Sequence, residues 1–234
     1  MPHPAAPFLV VKDLGLTPYA PTWAAMRAFT AARGPHTPDE LWLLQHPPLY
    51  TMGLNGKPEH LPRNSAIPVV DTDRGGQVTY HGPGQIVAYL LLDLRRRGLG
   101  VRPLVERMEQ AVIDLLADSG VEGRRRGGAP GVYVAGAKIA ALGLRIKQGR
   151  SYHGVSLNVD MDLAPFHAIN PCGYPGLQVT QTRDLGVTES LAALSERLTA
   201  KLQDLLGGGC GTANRLQVSR DPLPFLPGPD GDRP

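Results

Sequence analysis

Cysteine is nearly absent from this chain. Its two cysteines in 234 residues, Cys172 and Cys210, are too few for a disulfide framework and neither sits in a CxxC zinc or redox pattern, so each thiol stands alone. Long apolar runs are missing as well. Stretches such as Ile86–Leu92 and Ile139–Leu144 fall well short of a bilayer span. The first thirty residues lack a basic segment followed by a compact apolar run, so no secretory signal is read. The expectation is a cytoplasmic protein without a membrane segment. Lysine is scarce too: Lys12, Lys57, Lys138, Lys147 and Lys201 are all there are among 24 basic residues. The net charge is only +3, and no basic run is interleaved with aromatics, which argues against a nucleic-acid partner. Positive charge concentrates in Arg95-Arg96-Arg97 and Arg124-Arg125-Arg126. Docking of an acidic partner and two solvated loop edges are both open readings of these blocks.

What is present is enough apolar content for a core, with 42% hydrophobic and 19% charged residues, and a length suited to one domain of generous size. The domain is placed at residues 1–215, followed by a Pro/Gly-rich tail at 216–234. Strands are expected at Phe8–Val11 and Leu41–Leu44 with a helix over Ala20–Ala32 between them. Short β-rich runs follow at Ile67–Val70, Gln77–His81 and Gln85–Leu92. A helix over Val101–Ser119 shows the clearest 3.6-residue spacing and stops at Gly120. Strands return at Gly131–Val134, Lys138–Ile146 and Tyr152–Val159, joined as two hairpins, and a last helix runs from Thr188, its expected N-cap, to Leu206. Clustered strands with inserted helices give an α+β domain with a mixed sheet and flanking helices.

Three segments carry candidate chemistry. Arg74-Gly75-Gly76-Gln77-Val78-Thr79-Tyr80-His81-Gly82-Pro83-Gly84-Gln85 crowds polar side chains onto a glycine-rich turn, where backbone approaches a ligand closely. A ligand wall and a tight hairpin with His81 as a hydrogen-bonded edge residue are both compatible with it. The block has neither P-loop nor GxGxxG spacing, so nucleotide binding is unsupported. In Gly136-Ala137-Lys138-Ile139-Ala140-Ala141-Leu142-Gly143 a lone lysine heads an apolar strand. In a chain that prefers arginine this suits a residue used for proton chemistry, the alternative being a strand-end lysine reaching water. Asn170-Pro171-Cys172-Gly173-Tyr174-Pro175-Gly176 holds a cysteine in a loop stiffened by prolines, which suits a thiol presented to a cleft or a buried structural thiol. Cys172, His167 and His153 show no metal-ligand spacing, and no metal or cofactor is expected.

Together these segments, with Tyr152-His153-Gly154-Val155-Ser156-Leu157-Asn158-Val159, resemble the lipoyl(octanoyl) transferase family, the octanoyl-[acyl-carrier-protein]:protein N-octanoyltransferases. The resemblance implies a fold like that of biotin and lipoate protein ligases, the class II aminoacyl-tRNA synthetase/biotin synthetase-like arrangement. It implies Cys172 as nucleophile and acyl carrier, with Lys138 as its activating partner. Substrate contacts would fall at Arg74, Gly75, Gly76, Gln77, Val78, Thr79, Tyr80 and His81, at Ala141, Leu142 and Gly143, and at Gly154, Val155 and Ser156. The implied partners are octanoyl-acyl carrier protein as donor and apo lipoyl domains as acceptor, those of 2-oxoacid dehydrogenase subunits and the glycine cleavage H protein. The alternative is an ATP-dependent lipoate or biotin protein ligase. Such lipoate ligases typically carry an Arg-x-Ser-Gly-Gly-Gly block where this chain has Arg74-Gly75-Gly76-Gln77.

The implied chemistry is energetically coherent. Exchange of the donor thioester for a Cys172 thioester is nearly isoenergetic and thioester to amide runs downhill, so ATP is not required. An ammonium ~4 Å from the thiol would favour the thiolate by up to ~4 kcal/mol at an effective dielectric near 20. Backbone N–H groups near Cys172 and along Gly75-Gly76 are the expected oxyanion donors. Burying most of an eight-carbon chain at ~0.8 kcal/mol per methylene contributes roughly 5 kcal/mol. His81 and His153 are expected as pocket wall, proton relay or structural hydrogen-bonders.

Overall fold

The computed structural model describes residues 9–62, 65–170, 174 and 176–206. Phe8, Cys172, Cys210 and the expected tail lie outside the described residues. Strand β1 (Leu9–Leu16) and β2 (Asp39–Gln45) run parallel, joined by helix α1 (Tyr19–Ala32). Helix α1 begins after Pro18 and takes Pro21 within its first turn, where the missing N–H has no intrahelical role. Strand β3 (Leu49–Met52) pairs in parallel with β4 (Val69–Asp71) and antiparallel with β5 (Val78–His81), forming a separate three-stranded sheet. The turn Gly82–Gly84 leads from β5 into β6 (Gln85–Leu91), which belongs to the large sheet. That turn is a corner between two sheets, and the hairpin reading of this block does not hold.

Helix α2 (Val101–Ala117) precedes the short β7 (Arg124–Arg125), β8 (Gly131–Val134), β9 (Ala137–Lys147) and β10 (Arg150–Asn158), and helix α3 (Leu191–Leu205) closes the described chain. The large sheet has seven strands in the order β1-β2-β6-β10-β9-β8-β7, antiparallel apart from β1–β2. The two expected hairpins are present as β8–β9 and β9–β10. Ala135 and Gly136 turn the first and Gln148 and Gly149 the second, all four with positive φ, the pattern of two-residue turns that match strand twist. The helix α3 N-cap is Ser190, whose hydroxyl accepts from the Ala193 N–H, and not Thr188 as expected.

Strand β6 shows how the layers assemble. Every residue of it is buried, and period-2 alternation sends Ile86, Ala88 and Leu90 to one face and Val87, Tyr89 and Leu91 to the other. The first face packs on Leu104, Met108 and Leu115 of α2 and on Leu194, Leu198 and Leu202 of α3. The second packs on Ala25 and Met26 of α1 with Trp42 and Tyr152. The small sheet has its own core of Tyr50, Val78, Tyr80, Met161 and Phe166. Among the described residues no helix is long and apolar enough to cross a membrane.

Arg96 and Arg97 of the first arginine block are drawn into the fold, whereas Arg95 and the whole second block, Arg124, Arg125 and Arg126, stay exposed. Asp39 is fully buried and bonded by Arg33, Arg96 and Arg97, and it also accepts the Asp93 N–H. Arg124 pairs with Glu122, and Arg125 with Glu109 and Gln110. Arg96 and Arg97 are structural cations, neither a free docking patch nor a solvated loop edge.

Candidate active site

The loop after β4 lies across β9. The Gly75 N–H donates to the Leu144 carbonyl at 2.8 Å, so that amide is used in the fold and is not the oxyanion donor expected of it. Close approach is possible because β9 carries Gly143 there: a Cβ would meet the Gly75 carbonyl oxygen and Arg74 Cδ at 3.0 Å. The Arg74 side chain turns inward. It donates from Nη2 to the Thr51 carbonyl at 2.6 Å and from Nε to Thr51 Oγ1 at 3.1 Å, fastening the loop to β3.

Between this loop, β6, β9 and β10 lies a cavity of about 440 Å³. Arg74, Gly75, Gly76, Gln77, Val78, Thr79, His81, Ala141, Leu142, Gly143, Gly154, Val155 and Ser156 all line it, thirteen of the fourteen positions the resemblance implied. Tyr80 does not. Strand alternation turns it from Thr79 and His81 into the small core, where its ring lies 5.6 Å from Tyr50 and 5.4 Å from Phe166. Lining residues that the motifs did not reveal include Tyr19, Val87, Tyr89, Val105 and Pro130, and half-exposed Val101 and Tyr174 mark the rim.

Lys138 borders a small recess beside this cavity, sharing Thr79 and Ala141 with it. It is buried, not reaching water. Its Nζ donates to the Pro130 carbonyl at 2.9 Å and stands 5.4 Å from the centre of the Tyr133 ring. The arm passes over Gly131, which has φ 143°; a Cβ there would lie 2.5 Å from Lys138 Cε and 2.7 Å from the Ala140 carbonyl oxygen. Cys172 itself lies outside the described residues. Its described neighbours in the chain are Asn170, whose side chain meets His60 Nδ1 at 3.0 Å, and Tyr174, which lines the cavity and donates to the Gly128 carbonyl at 3.3 Å. The chain then returns to Lys138, whose N–H donates to the Gln178 carbonyl and whose carbonyl accepts the Thr180 N–H.

A polar layer backs the cavity. His46 Nδ1 faces the Thr17 carbonyl at 2.7 Å and must donate to it, so its Nε2 accepts from the Tyr89 hydroxyl at 2.8 Å. Burial holds His46 down to about 4 and His81 to about 3, the latter also feeling His46. His153 is lowered by burial against the opposing pull of Asp73. It adopts φ 62° within β10, a left-handed conformation unusual for a non-glycine residue inside a strand, and its Nε2 lies 3.1 Å from Asp73 Oδ1. Tyr152 and Trp23 donate to the same carboxylate. Burial pushes Asp73 up, but these hydrogen bonds outweigh it and hold the group well below the usual carboxylate range. Both histidines named from the sequence thus line the cavity and make buried hydrogen bonds.

Comparison with known proteins adds the following. The lipoyl protein ligase A/B catalytic domain matches residues 18–203. The octanoyltransferase of Aromatoleum aromaticum is 63% identical over 206 residues, spanning 88% of this chain and 89% of its own. A crystal structure of lipoate-protein ligase A bound with ATP shares the fold with a TM-score of 0.69 at 16% identity, over 86% of this chain and 85% of that one. Biotin protein ligase from Aquifex aeolicus does so with a TM-score of 0.51 at 9% identity, over 86% and 69%. The expected α+β fold of biotin and lipoate protein ligases is therefore the fold observed.

Proposed function

This chain belongs to the lipoyl protein ligase A/B catalytic-domain family, and on that premise we infer that it is the octanoyltransferase of lipoate biosynthesis, working through a Cys172 thioester. The donor is an octanoyl thioester on acyl carrier protein and the acceptor is the lysine amine of an apo lipoyl domain. The cavity next to Lys138 carries the reading: its wall of Val87, Leu142 and Val155 suits an acyl chain, and Tyr174, two residues after Cys172 in the chain, lines it.

The steps balance without a co-reactant. The Cys172 thiolate attacks the donor carbonyl, the bond from that carbon to the carrier sulfur breaks, the departing carrier thiolate takes the proton of the Lys138 ammonium, and octanoyl is held as a Cys172 thioester beside a neutral Lys138. The acceptor amine then attacks that thioester, an amide forms, and the Cys172 thiolate is regenerated. In the first half-reaction the Lys138 ammonium favours the thiolate; in the second, Lys138 takes the proton shed by the amine. The energy of the donor thioester suffices for both, so neither ATP nor a metal enters the scheme.

Intact mass spectrometry tests it. Incubation with octanoyl-acyl carrier protein should add one octanoyl group to the wild type and none to Cys172→Ser, and an apo lipoyl domain should then remove it without ATP or magnesium. Acceptor modification only with free acid and ATP, irrespective of Cys172, would show a ligase instead.

A further inference from the structure

A single file of buried side chains joins the Arg74 loop to the segment returning from Cys172. Arg74 donates to Thr51 Oγ1 at 2.8 Å from Nη2. Thr51 Oγ1 lies 3.4 Å from His81 Nε2, and His81 Nδ1 lies 2.7 Å from Gln85 Oε1. Gln85 Nε2 donates to Asn158 Oδ1 at 2.9 Å, and Asn158 Nδ2 donates to the Thr180 carbonyl at 3.0 Å. Thr180 in turn gives its N–H to the Lys138 carbonyl at 3.0 Å.

The polarity of this file is fixed. Gln85 Nε2 faces two acceptors, Asn158 Oδ1 and the Tyr80 carbonyl, so Oε1 must accept and His81 must carry its proton on Nδ1. His81 Nε2 then accepts from the Thr51 hydroxyl, whose lone pairs are free to take the arginine. Every bond points the same way, from the Arg74 guanidinium to the Thr180 carbonyl, the arrangement in which neighbouring hydrogen bonds polarise one another. The members are buried, so none can exchange its partner for water at little cost.

From this we infer that Asn158 is a positioning residue for the transfer, holding the returning segment in register with Lys138, and that Gln85 and His81 set the direction in which its amide points. The inference rests on the Cys172–Lys138 reading above. It assigns the Asn158 amide a role beyond strand pairing: the Thr180 carbonyl has to be met by a donor, and that donor has to be aimed by Gln85.

Two readouts on the full-length protein test it, with Asn158→Ala, Asn158→Asp and Gln85→Leu set against Ser151→Ala. Ser151 is equally buried on β10 and bonds the β6 backbone at Leu90 and Leu92, remote from this file. The first readout is the pH profile of Cys172 alkylation by iodoacetamide. The midpoint should rise by about half a pH unit or more in the three file variants and stay at the wild-type value in Ser151→Ala. The second is single-turnover acylation by octanoyl-acyl carrier protein, which should slow about tenfold or more in those variants, with the donor KM little changed. Asn158→Asp keeps the acceptor for Gln85 but turns an oxygen on the Thr180 carbonyl, so it should rescue nothing. Wild-type profiles and rates in Asn158→Ala and Gln85→Leu, or losses matched by Ser151→Ala at equal thermal stability, would overturn the inference. A shifted alkylation profile in a protein whose wild type forms no octanoyl thioester would uphold the positioning of Cys172 and sink the acyl-transfer reading.

Discussion

Lys138 lies across Gly131 so closely that a methyl group on Gly131 would stand 2.5 Å from the lysine Cε and 3.0 Å from its Nζ. The glycine also has φ 143°, outside the range that other residues adopt readily. Gly131→Ala must therefore displace the lysine arm or bend β8 away from β9, where the Ala140 carbonyl oxygen blocks the same space at 2.7 Å. The expected result is a loss of about 1–3 kcal/mol in stability together with a fall of about 100-fold in octanoyl transfer. Steady-state kinetics beside a thermal melt checks it, and wild-type transfer in the variant would show that Lys138 need not stay where it is.

Lys138→Arg separates the two half-reactions. A guanidinium retains the positive charge that favours a thiolate but does not surrender its proton. Octanoyl-enzyme should thus still form, more slowly because a longer fork must fit above Gly131, while release to the lipoyl-domain amine should fall by about 100-fold or more. Single-turnover mass spectrometry would show the thioester accumulating. Full transfer by this variant would remove Lys138 as the proton acceptor.

Most of the fold was legible because its elements announce themselves locally. The period-2 and 3.6 patterns locate β6 and α2, and glycine-bearing turns locate both hairpins. Strand β3 was not legible. It is four residues long, follows Pro47-Pro48, and is held as a strand by pairing with β4 and β5 on its two sides, a non-local cause. The site divides in the same way. Its glycine blocks appear as motifs because glycine is needed wherever backbone crosses backbone, as at Gly143. Pro130, Tyr89, His46 and Asp73 carried no such signal, since tertiary pairing alone brings them to the cavity or to its backing layer, and only pairing with β9 brings Gly131 under the Lys138 arm. Alternation alone does not set Tyr80 aside, because Val78, which shares the small core with it, lines the cavity as well.

Asp39 ties four parts of the chain together. Its carboxylate bonds Arg33 after α1 and Arg96 and Arg97 in the turn before α2, and Arg97 continues to the Leu206 carbonyl at 2.9 Å beyond α3. Asp39→Ala leaves these guanidiniums buried without their carboxylate, a change that costs about 3–5 kcal/mol, a large share of a typical total of about 5–15. Chemical denaturation should show the loss directly. Charge reversal at Arg96 and Arg97 should do the same, so a weaker carrier-protein interaction in such a variant counts toward docking only if the fold survives.

The buried histidines make stability fall on mild acidification. His46 and His81 are held to about 4 and about 3 by burial, and His153 is lowered as well, whereas in the unfolded chain each titrates near ~6.5. Depressed folded values mean that the unfolded state binds more protons, so stability is complete above pH ~6.5 and is lost as pH drops toward the folded values. For His46 and His81 the loss amounts to about 2 kcal/mol each by pH 5. Asp73, held low in the fold, adds its loss only below pH ~4, in the same direction. Urea unfolding at pH 7, 6 and 5 should show this slope, and His46→Gln, which keeps an amide able to meet the Thr17 carbonyl and the Tyr89 hydroxyl, should flatten it by about one proton. A stability unchanged between pH 7 and 5 would mean that His46 and His81 meet water or a counter-charge on protonation, contrary to their burial behind the cavity.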